Sequence, residues 1–385
     1  MRATLTIAAF AVVAHVVFPL SSGACSLFAM RAAGGCVFGR NLDWDWPMPG
    51  LVVVNTRGVE KSILPWRGDW PAPSERPGVT WVSRFGSVTF TCYGRDFIEG
   101  GMSEVGLVVS EASLPAVYPG DDGRVGVSCA QWMQYQLDNF RSVDEVLAHL
   151  ADLRLDGEDW HFLLADASGA CAVVEYLDGT PLVHRGIDAP VCALTNTTYE
   201  RALAHLPMDL AFGGDIDIAS DDDSYGRFVR MATALRLHPS VSDRSDWDHA
   251  FGVLESVACE ETRRTAIYDG PGRRVLWTTR SNQSVRWLDL SALDFSPSAG
   301  TQVVDVNGDG SGDASGDLVG YTVDINRKTV RAVRGLDGSA AAVPCGFPER
   351  GLTLDQAVEL IALHPTSCSR EVGEEAAMPH PPGRR

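Results

Sequence analysis

The sequence predicts an α+β layered domain. Three observations carry this: strand patterns come first, helical spacing fills the middle, and a run of strands follows. That order builds segregated layers rather than alternating βαβ units. The chain has 385 residues, 45% hydrophobic and 21% charged. This ordinary globular composition excludes a disordered chain, a collagen-like repeat and a coiled-coil rod. No internal repeat is present, and no glycine-rich phosphate loop follows a strand.

At the N-terminus, Arg2 opens a short charged region, and Ile7–Leu20 is apolar apart from His15 and Pro19. Ser21-Ser22-Gly23-Ala24 follows, with small residues three and one positions before Cys25. This is the layout of a secretory signal peptide over residues 1–24 with an S-x-A cleavage site. The stretch is too short and broken for a membrane helix, and no later segment reaches the ~18 uninterrupted apolar residues one needs. A secreted or periplasmic protein with no membrane span is expected.

Residues 26–31 and 36–41 then read as strands around Ala32-Ala33-Gly34-Gly35, a tight hairpin signal. Strand character continues over 51–56 and 87–93, across a Pro/Trp/Gly-rich loop at 64–79, and over 105–110. Residues 130–137 and 143–150 carry helical spacing, with Ser142 as N-cap of the second. A second hairpin joins 160–165 to 171–176 across Asp166-Ala167-Ser168-Gly169. Helical spacing recurs near 198–205, 224–237 and 247–257, and 263–268, 274–279 and 284–289 read as a meander. Beyond about residue 295, Ser/Gly/Asp runs replace the apolar pattern, and Gly373–Arg385 has the composition of a disordered tail. The expected organisation is a core domain over 25–295 and a partly disordered C-terminal extension over 296–385.

Thirty-two Lys+Arg against 50 Asp+Glu leave a formal charge of -18. With no basic tract to bind phosphates, nucleic acid is not an expected partner. Cleavage after Ala24 would make Cys25 the first residue of the mature chain. Position alone leaves three readings open: a structural cysteine, a lipidated cysteine, or a catalytic N-terminal nucleophile. In the third, the α-amino group, with a reference pKa of roughly 7.7–8.0, takes the thiol proton near neutral pH. Lipidation excludes that chemistry, because acylating the amine destroys the base. A hairpin starting at Cys25 returns Arg40 and Asp43 towards the sulfur. An arginine there favours thiolate, and a carboxylate can orient the amine.

Cys25-Ser26-Leu27-Phe28-Ala29-Met30, the hairpin, and Phe38-Gly39-Arg40-Asn41-Leu42-Asp43 resemble the opening of the choloylglycine hydrolase family, which includes conjugated bile-salt hydrolases and penicillin V acylases. Gly101-Met102-Ser103-Glu104-Val105-Gly106-Leu107 is similar to the family's G-M-N-E-x-G-L, with Ser103 for Asn. Leu194-Thr195-Asn196 resembles its L-T-N segment, and Ser224-Tyr225-Gly226-Arg227-Phe228 its S-R-F region with two residues inserted. The resemblance covers roughly 25–295. It implies a four-layer αββα N-terminal nucleophile hydrolase sandwich that cleaves linear non-peptide amide bonds through a thioester. It further implies Cys25 as nucleophile, Asn196 as oxyanion donor and Arg227 in the active site. Ser113 falls where a second oxyanion contributor, often Asn, is found; a backbone N–H there would survive the substitution. Trp44 and Trp46, directly after Asp43, are the expected aromatic wall for an apolar acyl group. The substrates implied are small-molecule N-acyl amides: phenoxyacetyl-type amides, fatty N-acyl amides or N-acyl homoserine lactones, ahead of conjugated bile salts. The resemblance is also the sole ground for expecting a homo-oligomer. The rival reading is a non-catalytic secreted or lipid-anchored binding protein on the same fold, with Ser113 marking lost chemistry.

Nine cysteines leave eight once Cys25 is set aside, and exported proteins often pair theirs. Spacing does not sort the pairings; Cys345–Cys368 is the expected bridge, because both lie beyond the family core. No C-x₂-C or H-x₃-H spacing supports zinc, and no cofactor is expected. Asp305-Val306-Asn307-Gly308-Asp309-Gly310-Ser311-Gly312-Asp313 is similar to the start of a calcium loop, with oxygen ligands at alternate positions. Gly316 stands where the bidentate Glu belongs. A structural calcium is the only metal the sequence raises.

Overall fold

Gly34, at φ +88°, supplies the left-handed turn that lets Ser26–Ala32 fold back on Gly35–Asp43. The pairing is antiparallel, with Ser26 opposite Asn41 and Leu27 opposite Arg40. A computed structural model describes this hairpin within residues 24–217, 222–237, 246–335 and 352–368. The expected signal peptide lies outside the described residues except for Ala24. So do Cys345, the Cys368 side chain and Gly373–Arg385.

The hairpin is the centre of a seven-stranded sheet. Ala193–Leu194 borders the first strand, and Thr262–Asp269, Arg274–Thr279, Arg286–Asp289 and Gly312–Asp313 extend the sheet beyond the second. A nine-stranded sheet faces it, in the order Pro181–Arg185, Cys171–Tyr176, Trp160–Ala165, Val108–Ser113, Gly100–Ser103, Ser87–Thr91, Leu51–Asn55, Gln302–Asp305 and Val319–Gly320. Alternating side chains divide this sheet between two cores. Val108, Leu163, Ala165 and Val173 join the core shared with the seven-stranded sheet. Val109, Phe162, Leu164 and Val174 pack under helix Cys129–Asn139 with Trp132, Met133 and Leu137. On the far side, Phe228, Met231 and Ala232 of helix Ser224–Leu237 and Ala250, Val253 and Leu254 of helix Asp246–Glu255 cover the seven-stranded sheet. The result is the four-layer αββα sandwich. Ser128 and Ser142 cap the two helices of the other outer layer, accepting from the amides of Gln131 and Glu145.

Two expectations shift. The strand expected over 105–110 is a turn followed by a strand, because Gly106 at φ +87° reverses the chain between Gly100–Ser103 and Val108–Ser113. The chain after 295 also stays in the body of the fold. Gln302–Asp305 pairs with Leu51–Asn55, and alternation sends Val303 and Val304 into different cores. Helix Val323–Val333 follows, where Asn326 receives the Arg95 amide at 2.8 Å and donates to the Ala362 carbonyl at 3.0 Å. The two valines of that four-residue strand are too few to stand out among Ser, Gly and Asp. Among the described residues the disulfide is Cys171–Cys192, which closes 21 residues, while Cys25, Cys36, Cys92, Cys129 and Cys259 are free thiols.

Buried Lys61 bridges Asp96 at 2.9 Å and Asp138 at 3.0 Å, and Asp138 also accepts from the Trp81 indole at 2.8 Å. Lys61→Met leaves Asp138 buried without its cation and Asp96 with only Arg95, at 3.9 Å. The expected loss is roughly 3–5 kcal/mol, read as a lower urea midpoint with an unchanged slope.

Candidate active site

Antiparallel register on both sides of the first strand assembles the site. Leu27 is opposite Arg40 on one neighbour and opposite Leu194 on the other. Carried two residues towards the N-terminus, the second ladder brings Asn196 level with Cys25. On the opposite side the Asp43 amide donates to the Cys25 sulfur, and the Arg40 guanidinium bonds the same atom. Arg227, in the first turn of helix Ser224–Leu237, reaches in from the outer layer. Its Nη1 donates to the carbonyls of Ala24 at 3.0 Å and Cys25 at 2.7 Å and to Ser26 Oγ at 2.8 Å. Its Nη2 donates to Asn196 Oδ1 at 3.0 Å.

That last bond settles the Asn196 amide, since a guanidinium only donates. Asn196 Nδ2 in turn donates to the Ser113 carbonyl at 3.0 Å. Thus Cys25, Arg40, Asp43, Asn196, Arg227 and Ser113 come together, and Ser113 meets the group through its backbone oxygen. Trp44 and Trp46 lie just outside. Trp44 is half-buried against the inter-sheet core, with its ring 6.4 Å from that of Trp46. The Trp44 indole N–H is buried without a hydrogen-bond partner among the described residues.

Several members of the site were not legible in the sequence. Glu111 forms a buried ion pair with Arg40, whose Nη1 also donates to the Glu99 carbonyl at 2.6 Å. Arg264 pairs with the Glu99 carboxylate beside them. Glu111 had one available signal: it sits two residues before Ser113 on a strand, and so on the same face. A register shift between Thr262 and Arg264 sets Thr262 opposite Asp43, and the Thr262 hydroxyl donates to Asp43 Oδ1 at 2.6 Å. The Cys259 thiol also borders that carboxylate. Asp43 Oδ2 has no nitrogen or oxygen donor among the described residues.

Burial dominates the electrostatics. It pushes the Cys25 thiol up to about 12, with Glu111 adding to the rise, Arg40 opposing it and Asp43 contributing in both directions. Burial likewise raises the Asp43 carboxyl to about 6 against the Thr262 hydrogen bond and the Arg227 charge. Burial works to lower Arg40, but the Glu111 carboxylate beside it outweighs that and holds its proton more tightly than usual. With Ala24 attached, the buried thiol is therefore a neutral S–H.

The acidic loop at 305–313 is tied up internally. The Asp305 and Asp313 carboxylates accept the amides of Asn307 at 2.8 Å and Ser315 at 2.9 Å. The Arg286 guanidinium donates to the carbonyls of Asp305 at 3.0 Å and Gly308 at 3.2 Å. Among the described residues, no three or more His, Cys, Asp or Glu gather as a metal-binding group. Nor is any helix there long and apolar enough to cross a membrane.

The family model for linear amide C–N hydrolases of the choloylglycine hydrolase family matches residues 25–207. A penicillin V acylase of Pectobacterium atrosepticum is 25% identical over 267 residues, 57% of this chain and 70% of that one. A bile salt hydrolase/transferase of Bifidobacterium longum is 23% identical over 313 residues, 72% of this chain and 94% of that one. Among solved structures, penicillin V acylase from Agrobacterium tumefaciens superposes with a TM-score of 0.67 at 26% identity, covering 77% of this chain and 98% of that one. A conjugated bile acid hydrolase from Clostridium perfringens shares the fold, with a TM-score of 0.59 at 16% identity over 75% of this chain and 98% of that one.

Because the Glu111 charge raises the thiol and the Arg40 charge lowers it, the two substitutions must act in opposite directions. Glu111→Gln shifts the pH midpoint of Cys25 alkylation by iodoacetamide downward; Arg40→Gln shifts it upward.

Proposed function

We propose, from the premise that the chain belongs to the choloylglycine hydrolase family of linear amide C–N hydrolases, that it is exported and cleaves N-acyl amides with Cys25 as an N-terminal nucleophile. The observation that carries this reading is the convergence of Arg40, Asp43, Asn196 and Arg227 on Cys25. The family match also begins at that residue.

Cleavage after Ala24 converts the Cys25 peptide nitrogen into an α-amine, which is the base the buried thiol lacks. The amine takes the thiol proton, while Asp43 Oδ2 accepts from the amine and orients it. Arg40 stabilises the thiolate by charge, and Arg227 holds the Cys25 carbonyl so that sulfur and nitrogen stay on one side. Sulfur attacks the amide carbonyl carbon, and the electron pair moves to oxygen. The Asn196 side-chain amide meets that oxyanion. As the tetrahedral intermediate collapses the C–N bond breaks, and the α-ammonium returns its proton to the leaving amine. A thioester remains. Water, deprotonated by the same amine, attacks it and releases the acid and the free thiol.

Trp44 and Trp46 supply an apolar wall for the acyl group. Phenoxyacetyl amides are the favoured class, because the relative from Pectobacterium and the solved structure from Agrobacterium are both penicillin V acylases.

Two measurements test this. Mass spectrometry of the mature protein is expected to find an unmodified Cys25 at the N-terminus; an acylated Cys25 would establish the lipid anchor instead. On a chromogenic phenoxyacetyl anilide, Cys25→Ala is expected to lower kcat more than about 10³-fold, and retained turnover refutes the mechanism. The pH profile carries a sign. Asp43 must be ionised to accept from the amine, and burial puts its carboxyl at about 6. A neighbouring ammonium can only lower that value, so the acid limb of kcat/KM that Asp43 contributes lies at or below pH 6, apart from the limb set by the α-amine nearer its reference value of roughly 7.7–8.0. A limb at or below pH 6 that persists in Asp43→Asn contradicts the role of Asp43.

A further inference from the structure

His161 and Glu175 are fully buried, on adjacent strands of the nine-stranded sheet, and the reaction sequence above uses neither. His161 Nε2 lies 2.8 Å from the Thr195 carbonyl, and Nδ1 lies 3.0 Å from Glu175 Oε1. A carbonyl oxygen only accepts, so Nε2 carries a proton. Glu175 Oε1 also receives the Tyr199 amide at 3.0 Å, and Glu175 Oε2 faces His184 Nε2 at 3.3 Å. Burial works to raise this carboxyl, but the His161 hydrogen bond and charge, the Tyr199 amide and the His184 charge outweigh it and leave it below its ordinary value. Glu175 Oε1 thus joins the Tyr199 amide and the His161 ring in one buried hydrogen-bonded set.

The peptide held by this pair is the one that leads into Asn196. Thr195 is gripped from its other side too: its hydroxyl donates to the Ser224 carbonyl at 3.0 Å and accepts from Ser224 Oγ at 2.9 Å. The Thr195 peptide is thus held between the buried His161–Glu175 pair in the nine-stranded sheet and the start of the helix that carries Arg227. The strand before it, Ala193–Leu194, has two residues, too short to hold Asn196 in place alone.

We infer that the buried His161–Glu175 pair is a positioning device for the Asn196 amide, setting the Thr195–Asn196 peptide through the Thr195 carbonyl. The inference rests on the reading of Asn196 as oxyanion donor. Neither residue touches substrate; both act through the backbone. A misplaced oxyanion donor weakens the transition state and leaves ground-state binding nearly intact, so the loss belongs in kcat.

The test is a double-mutant cycle on the mature enzyme beginning at Cys25, with phenoxyacetyl p-nitroanilide as probe. His161→Gln and Glu175→Gln are each made alone and in an Asn196→Ala background. Glu175→Gln, nearly the same shape, carries the experiment should His161→Gln fail to fold. The expected result is a fall in kcat of roughly 10–100-fold with KM within about threefold. In the Asn196→Ala background the same substitutions should cost less than about threefold more, because the group they position is gone. A loss confined to KM or to the melting temperature, or an equal factor in both backgrounds, overturns the positioning role while leaving Asn196 as oxyanion donor. An Asn196→Ala enzyme with full activity is a different outcome: it overturns the oxyanion reading and the role of the pair together.

Discussion

The antiparallel ladder that holds Ser26–Ala32 between Gly35–Asp43 and Ala193–Leu194 is the constraint on which the site depends. Cys25 stands at the open end of that strand. One neighbour delivers Arg40 and Asp43 to it, and the other delivers Asn196. A slip of one residue on either side would turn every side chain of that strand to the opposite face. Leu27 and Phe28 point to opposite faces and are both wholly buried, so packing on both sides secures the register: a slip would exchange side chains of different shape between filled spaces.

The second requirement is a balanced charge cluster between the sheets. Arg40, Arg264 and Arg227 are buried cations, and Glu111 and Glu99 are the acids paired with the first two. An isolated buried charge costs several kcal/mol, so each guanidinium near Cys25 persists through a matched partner or a set of carbonyl acceptors. The same burial keeps the Cys25 thiol protonated.

The outer elements serve this arrangement at a distance. The Thr195 peptide, the Ser113 carbonyl and the first turn of helix Ser224–Leu237 each fix one coordinate of Asn196 or Arg227. Chain from beyond residue 295 closes the sheet at the other end, where Gln302–Asp305 covers the flank of Leu51–Asn55.

Local pattern determined a good deal by itself. The Gly34-Gly35 hairpin, the 160–176 hairpin, the helix over 224–237 and the Ser142 cap all follow from short-range chemistry, since turn glycines, apolar spacing and side-chain caps act within a few residues. The short motifs around Cys25, Arg40, Asp43, Asn196 and Arg227 were also visible in the sequence. Only the tertiary structure decided what neutralises and orients them. Glu111 meets Arg40 across 71 residues, Thr262 meets Asp43 across 219, and His161 meets Thr195 across 34. No periodicity records such pairings, because they follow from which strands become neighbours and where a ladder shifts register. The strand at 302–305 was hidden for a related reason: four residues carry little pattern of their own, and the edge of Leu51–Asn55 makes them a strand.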